Sequence, residues 1–182
     1  MYSELEFGLI EKCRIPKIML NSEANKSNWG SGGKRGGFDY KPPYGWIGIG
    51  LKVLDLYENN DWLACNGNKN EWAVAYAGVN QKILRFILQG GFKPGFQQVY
   101  ADYDDIYHPG NKVGHGVYCS PNVEIIEQFR LEPIEINGQK YNIGLMLRVK
   151  KDKIRCPSKE LNFWVLDPHE IRTYRILLKE VK

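Results

Sequence analysis

The chain has 182 residues, enough for one domain with a real core. Its 43% hydrophobic and 25% charged residues are ordinary for a soluble globular protein and exclude a disordered or fibrous class. The net charge of +4 biases the chain towards acidic partners without identifying one, and nucleic-acid binders usually carry a denser basic stripe.

The first residues, Met1 to Glu6, carry acid where a secretory leader carries base and then an apolar run. No stretch reaches the roughly 18 apolar residues of a membrane span. The expectation is an intracellular, cytoplasmic chain with no membrane contact. Residues 1–45 run through Asn21 to Asn28 and then Gly30-Ser31-Gly32-Gly33-Lys34-Arg35-Gly36-Gly37, ending at Pro42-Pro43. Such Gly and Ser content predicts an extended arm or long loop. The glycine run is not a phosphate-binding loop, because Gly33-Lys34 is followed by Arg35 rather than Ser or Thr.

A folded region over 46–182 follows. Ile47, Ile49, Leu51 and Val53 alternate with Gly48, Gly50 and Lys52, the period of a half-buried strand. Residues 72–77 form a second strand. Asn80 caps a helix whose apolar face holds Ile83, Phe86 and Ile87, and Gly90-Gly91 ends it. Residues 92–113 read as a loop with solvated acids Asp102, Asp104 and Asp105. Gly114 to Tyr118 give a short strand. Ser120-Pro121 opens a second helix, with Val123, Ile126 and Phe129 on one face.

Asn137-Gly138 is the clearest turn in the chain, because both residues accept positive φ. It joins Ile134–Ile136 to a long strand over 141–149, with Ile143, Leu145, Leu147 and Val149 on one face. Strands over 163–166 and 174–178 complete an α+β fold of six or seven strands and two short helices. Cys13, Cys65, Cys119 and Cys156 are scattered, which argues for reduced thiols and against a zinc or redox motif. His108 and His169 lack the spacing of metal ligands. Lys150, Lys151, Lys153, Arg155 and Lys159 read as a solvated basic loop, with docking to an acidic partner as the alternative.

Several of these segments carry a resemblance. Ala75-Tyr76-Ala77-Gly78, the helix ending at Gly90-Gly91-Phe92, Gly114-His115-Gly116-Val117-Tyr118, and Leu161 to Asp167 resemble the catalytic domain of the poly(ADP-ribose) polymerases over about residues 70–180. From Tyr44-Gly45-Trp46 onward the chain is also similar to divergent ADP-ribosyltransferase-like chains of protists and fungi. The resemblance implies split antiparallel sheets around an NAD cleft.

It also implies roles. The family's His-Tyr-Glu triad falls on Ala77, Tyr118 and Asn162. Gly78 corresponds to the glycine whose backbone grips the nicotinamide amide. Phe129 corresponds to a second stacking aromatic, and Ile126 stands where the family has a serine donor. A methyl at Ala77 makes no hydrogen bond to the ribose, a loss of about 1–3 kcal/mol. An amide at Asn162 lacks the charge that steadies the departing nicotinamide, worth ~10²–10³ in rate.

On this resemblance the chain is a degenerate ADP-ribosyltransferase-like module without cofactor. It would serve as a binding or structural subunit of an intracellular assembly, cytoskeletal or ciliary by association. The alternatives are an active mono-ADP-ribosyltransferase using NAD, with Tyr76 or His115 replacing the lost histidine, and a non-catalytic reader of ADP-ribose or nucleic acid. Tyr118 and Phe129 also have a plain reading as core aromatics, and His115 as a solvent-facing residue.

Overall fold

The computed structural model describes residues 2–128 and 132–182. The described residues are α+β, with mostly antiparallel pairing and three α-helices. Two long strands form the spine: β7 (Gln139–Val149) and β9 (Ile171–Glu180). They pair with β3 (Ile47–Gly50), β4 (Ala73–Gly78) and β6 (Ile134–Ile136) in the order β3-β9-β7-β4, with β6 also on β7. A separate pair joins β5 (Val117–Cys119) to β8 (Trp164–Leu166).

The alternation along β7 explains its central place. Ile143, Leu145, Leu147 and Val149 enter an aliphatic core with Ala73, Ala75, Ala77, Ile176 and Leu178. Met146 faces the other way, into an aromatic core with Trp29, Trp46, Trp62, Tyr76 and Tyr174. Both faces are therefore covered. Each large side chain buried this way contributes about 1.5–3 kcal/mol.

The β6–β7 hairpin turns on Asn137 (φ 51°) and Gly138 (φ 78°), as the sequence requires. A Cβ at Gly138 meets open space, so only the backbone conformation penalises it. Gly138→Ala is expected to lower unfolding free energy by about 1 kcal/mol in a denaturant titration. Helix α2 (Gln81–Gly90) also starts and stops as read. Asn80 Oδ1 accepts from the N–H groups of Lys82 and Ile83, and Gly91 follows with φ 81°.

Three expectations are corrected. First, residues 2–45 are not a loose arm. Helix α1 (Tyr2–Cys13) buries Leu5, Leu9 and Cys13 in the aliphatic core. A hairpin of β1 (Gly33–Arg35) and β2 (Phe38–Tyr40) follows it in the chain, and both strands contact β4. Between them the chain lies along the outer edge of β3, with Leu20 bridging Leu51 and Lys26 bridging Gly48. The glycines of β3 make this possible. A Cβ at Gly48 would stand 2.6 Å from the Trp29 ring, and one at Gly50 would stand 2.5 Å from Ala24 Cβ.

Second, the helix expected from Ser120 begins later, as α3 (Glu124–Gln128). Ser120 spends both backbone groups on Tyr76, which holds it in extended pairing. Asn122 Oδ1 instead accepts from Glu124 N–H. Phe129 lies outside the described residues. Third, two groups read as solvated are tied down. Asp105 is buried, and Arg155 is half-buried with its guanidinium on the carbonyls of Val113 (2.7 Å) and His115 (3.1 Å) and on Asp167 (2.9 Å).

Candidate functional site

A backbone bridge joins the five-stranded sheet to the β5–β8 pair. Tyr76 N–H donates to Ser120 O (2.7 Å) and Ser120 N–H to Tyr76 O (2.9 Å). In an antiparallel strand backbone groups alternate in direction. Gly78, two residues on, therefore aims its N–H and C=O at the side that Ser120 occupies, and Tyr118 aims back. Among the described residues this pairing does not continue to Gly78 and Tyr118. The strands fork, and a cleft of about 1110 Å³ opens there.

Helix α2 forms one wall. Leu84 is the helix residue in the core, while Ile83 (44% exposed) and Phe86 (59%) turn outward and line the cleft with Ile87. The stripe read from the sequence, Ile83, Phe86 and Ile87, therefore lines the cleft, and the residue that enters the core is Leu84, which that reading left out. The loop after α2 forms the opposite wall with Phe92, Val99 and Tyr100. Lys93 and Glu132 are the charged residues among the lining. The rest is apolar, amide, tyrosine or glycine.

Ala77, Gly78 and Tyr118 all line this cleft, so these three sequence candidates come together. Ala77 sits on the aliphatic side of β4 and presents only a methyl. Tyr118 is already engaged. Its phenol oxygen accepts from Tyr100 N–H at 2.9 Å. Its ring is stacked on Tyr100, centroids 5.7 Å apart and planes 14° from parallel. Phe163 leans against both rings, at 6.3 Å and 5.6 Å. Such pairs contribute about 0.5–1.5 kcal/mol each beyond area burial.

The other candidates stand elsewhere. Ile126 is buried in the aromatic core with Tyr76 and Met146, on the far side of β4. Asn162 adopts φ 55° in a turn and donates to Glu160 O. It lines a separate depression of about 350 Å³ with Lys41, Tyr107 and Lys159, and Phe163 borders both hollows. Tyr76 donates its phenol to Lys41 O at 2.6 Å, and burial drives its pKa up, keeping it neutral. His115 is exposed, and its carbonyl serves Arg155.

Sequence reasoning missed Gln98 and Tyr100. Gln98 imitates a neighbouring strand: its Nε2 donates to Gly116 O (3.1 Å) and its Oε1 accepts from Gly116 N–H (3.0 Å). No local pattern signals either role, because both partners are 18 residues away. Among the described residues no cluster of three or more His, Cys, Asp or Glu is arranged to hold a metal ion, and no helix is long and apolar enough to cross a membrane. No family model matches the chain, and no curated protein sequence matches it.

Proposed function

We propose that the chain is an ADP-ribosyltransferase-like module that no longer handles NAD and works as a binding block within an intracellular protein assembly. The observation that carries the reading is the state of Tyr118. In an NAD site the ring would be free to stack on nicotinamide. Here Tyr100 covers one face and its N–H takes the phenol oxygen. Ala77 adds a methyl where the dinucleotide needs a donor, and Asn162 stands outside the cleft.

The cleft rim favours contact with another protein. Phe86 and Val99 line the cleft and are exposed large apolar residues. Apolar side chains gathered on a rim favour a partner surface over a small polar ligand.

Calorimetric titration with NAD tests this directly. Binding weaker than about 100 μM, or about −5.5 kcal/mol, and no NAD-dependent labelling of the chain or its partners are expected. Tighter binding that disappears in Tyr118→Ala would restore the enzyme reading.

A further inference from the structure

The loop over residues 92–116 forms one wall of the cleft and is fastened along its length. At the cleft, Tyr100 stacks on Tyr118 and Gln98 holds Gly116. In the middle, Val113 N–H donates to Tyr103 O and Gly114 N–H to Ala101 O, each at 2.9 Å. At the far end stands His108. Its Nδ1 is 2.6 Å from Asp105 Oδ2, and its Nε2 is 3.0 Å from the carbonyl oxygen of Asp152. The second carboxylate oxygen, Oδ1, accepts from the N–H groups of Tyr107 (3.0 Å) and Cys156 (3.1 Å).

A neutral imidazole has one N–H and one lone pair. Both ring nitrogens of His108 face acceptors. With the Asp105 carboxylate ionised, only the doubly protonated ring satisfies both contacts. Removing one proton sets a bare nitrogen against an oxygen, and one fastening is lost. His108 therefore joins the loop to the 3₁₀ turn Lys151–Lys153 through a contact that depends on charge.

We propose that residues 95–114 are a strap along the cleft whose outer end, at residues 105–108, is fastened or released by the proton on His108. The proposal rests on the reading of the cleft as a binding site, because Tyr100, which covers the Tyr118 ring, belongs to the same strap.

The neighbours of His108 set the sign. The hydrogen bond to Asp105 raises its pKa above the ordinary histidine value of about 6.5, and the Asp152 carbonyl adds to this. Partial burial and the ammonium of Lys153 oppose it. The Tyr107 phenol and Cys156 thiol against Asp105 are pushed upward by burial and stay neutral. Elsewhere on the strap Lys112 is paired with Asp104 at 2.6 Å. A raised folded-state pKa means the contact is complete below about 6.5 and is lost as pH climbs through the folded value.

Long-range proton–nitrogen NMR of the histidine rings tests the first half. His108 is expected to carry protons on both nitrogens at pH 6 and to titrate above 6.5. Hydrogen exchange tests the second. Protection factors of the Val113 and Gly114 amides should fall at least tenfold as His108 loses its proton, while the β7 and β9 amides keep theirs. His108→Gln should show the low protection at every pH. If that variant does not fold, the titration of the native protein decides alone. A singly protonated ring at pH 6, or flat protection across the titration, overturns the strap. Neither readout needs a ligand, so failure here leaves the cleft reading standing, and NAD binding would sink the proposed loss of NAD handling without touching the strap.

Discussion

Arg148→Ala is expected to lower unfolding free energy by about 3–5 kcal/mol, enough to leave a marginal domain largely unfolded at 37 °C. Arg148 projects from β7 and is only 2% exposed. Its Nη1 donates to Trp72 O (2.7 Å) and Ala64 O (3.1 Å), and its Nη2 donates to Leu63 O (2.9 Å). The guanidinium also lies 5.6 Å from the Tyr174 ring. Alanine leaves three carbonyls without their donor and opens a cavity beneath the aromatic core. Lysine should not rescue the loss, because a single ammonium cannot reproduce a planar fork. Denaturant melts of both variants are the measurement. A loss under 1 kcal/mol for alanine would show that water replaces the guanidinium without difficulty.

Glu71→Ala comes next, at about 3 kcal/mol. The side chain is 1% exposed, yet its carboxylate serves the backbone on two sides. Oε1 accepts from Gly36 N–H at 2.7 Å and Oε2 from Gly67 N–H at 2.8 Å. Gly36 is in the turn of the β1–β2 hairpin, so Glu71 bolts the N-terminal region to the segment that enters β4. Burial by itself would raise the Glu71 pKa. The two N–H groups, helped by the charge of Arg148, outweigh it and hold the pKa below the ordinary 4.5.

The pH dependence follows from that direction. A depressed folded-state pKa gives stability that is fully present above about 4.5 and is lost as pH falls through the folded value. Stability measured from pH 6 downward should therefore fall in the native protein and stay flatter in Glu71→Ala. The charge of Arg148 helps to hold the Glu71 carboxylate, so the double variant should lose less than the sum of the two single losses. Strict additivity would mean that the two groups act separately.

Much of the fold was legible because its signals are short. The Asn137-Gly138 turn, the Asn80 cap and the alternation from Ile143 to Val149 each need fewer than ten neighbouring residues, and each appears where it was read. Helix α1 is written in the same short-range terms. Leu5, Leu9 and Cys13 are spaced by four, a helical stripe that the glycine run further along obscured. The glycines of β3 carried a second unread message. Alternating Gly48 and Gly50 reads as a strand face, but it also marks a place where another stretch of backbone must lie close.

The candidate site was only half legible. Ala77, Gly78 and Tyr118 lie in short motifs at the ends of two strands, and the fork between those strands gathers them. Ile126 and Asn162 were assigned through the family resemblance, and a match along the chain does not say on which side of a sheet a residue emerges. Ile126 emerges among the tryptophans, and Asn162 emerges beyond Phe163.

Sequence alone determined the local signals of this protein: the turn at Asn137-Gly138, the cap of α2 and the alternation along β7. Tertiary structure alone decided that Tyr100 covers Tyr118, that Gln98 takes the place of a strand beside Gly116, and that Glu71 and Arg148 lock distant loops to the sheet. The division has a physical basis. Backbone preference and side-chain period act over a few residues. Stacking, strand imitation and buried charge act across space, between groups that only the folded chain brings within reach.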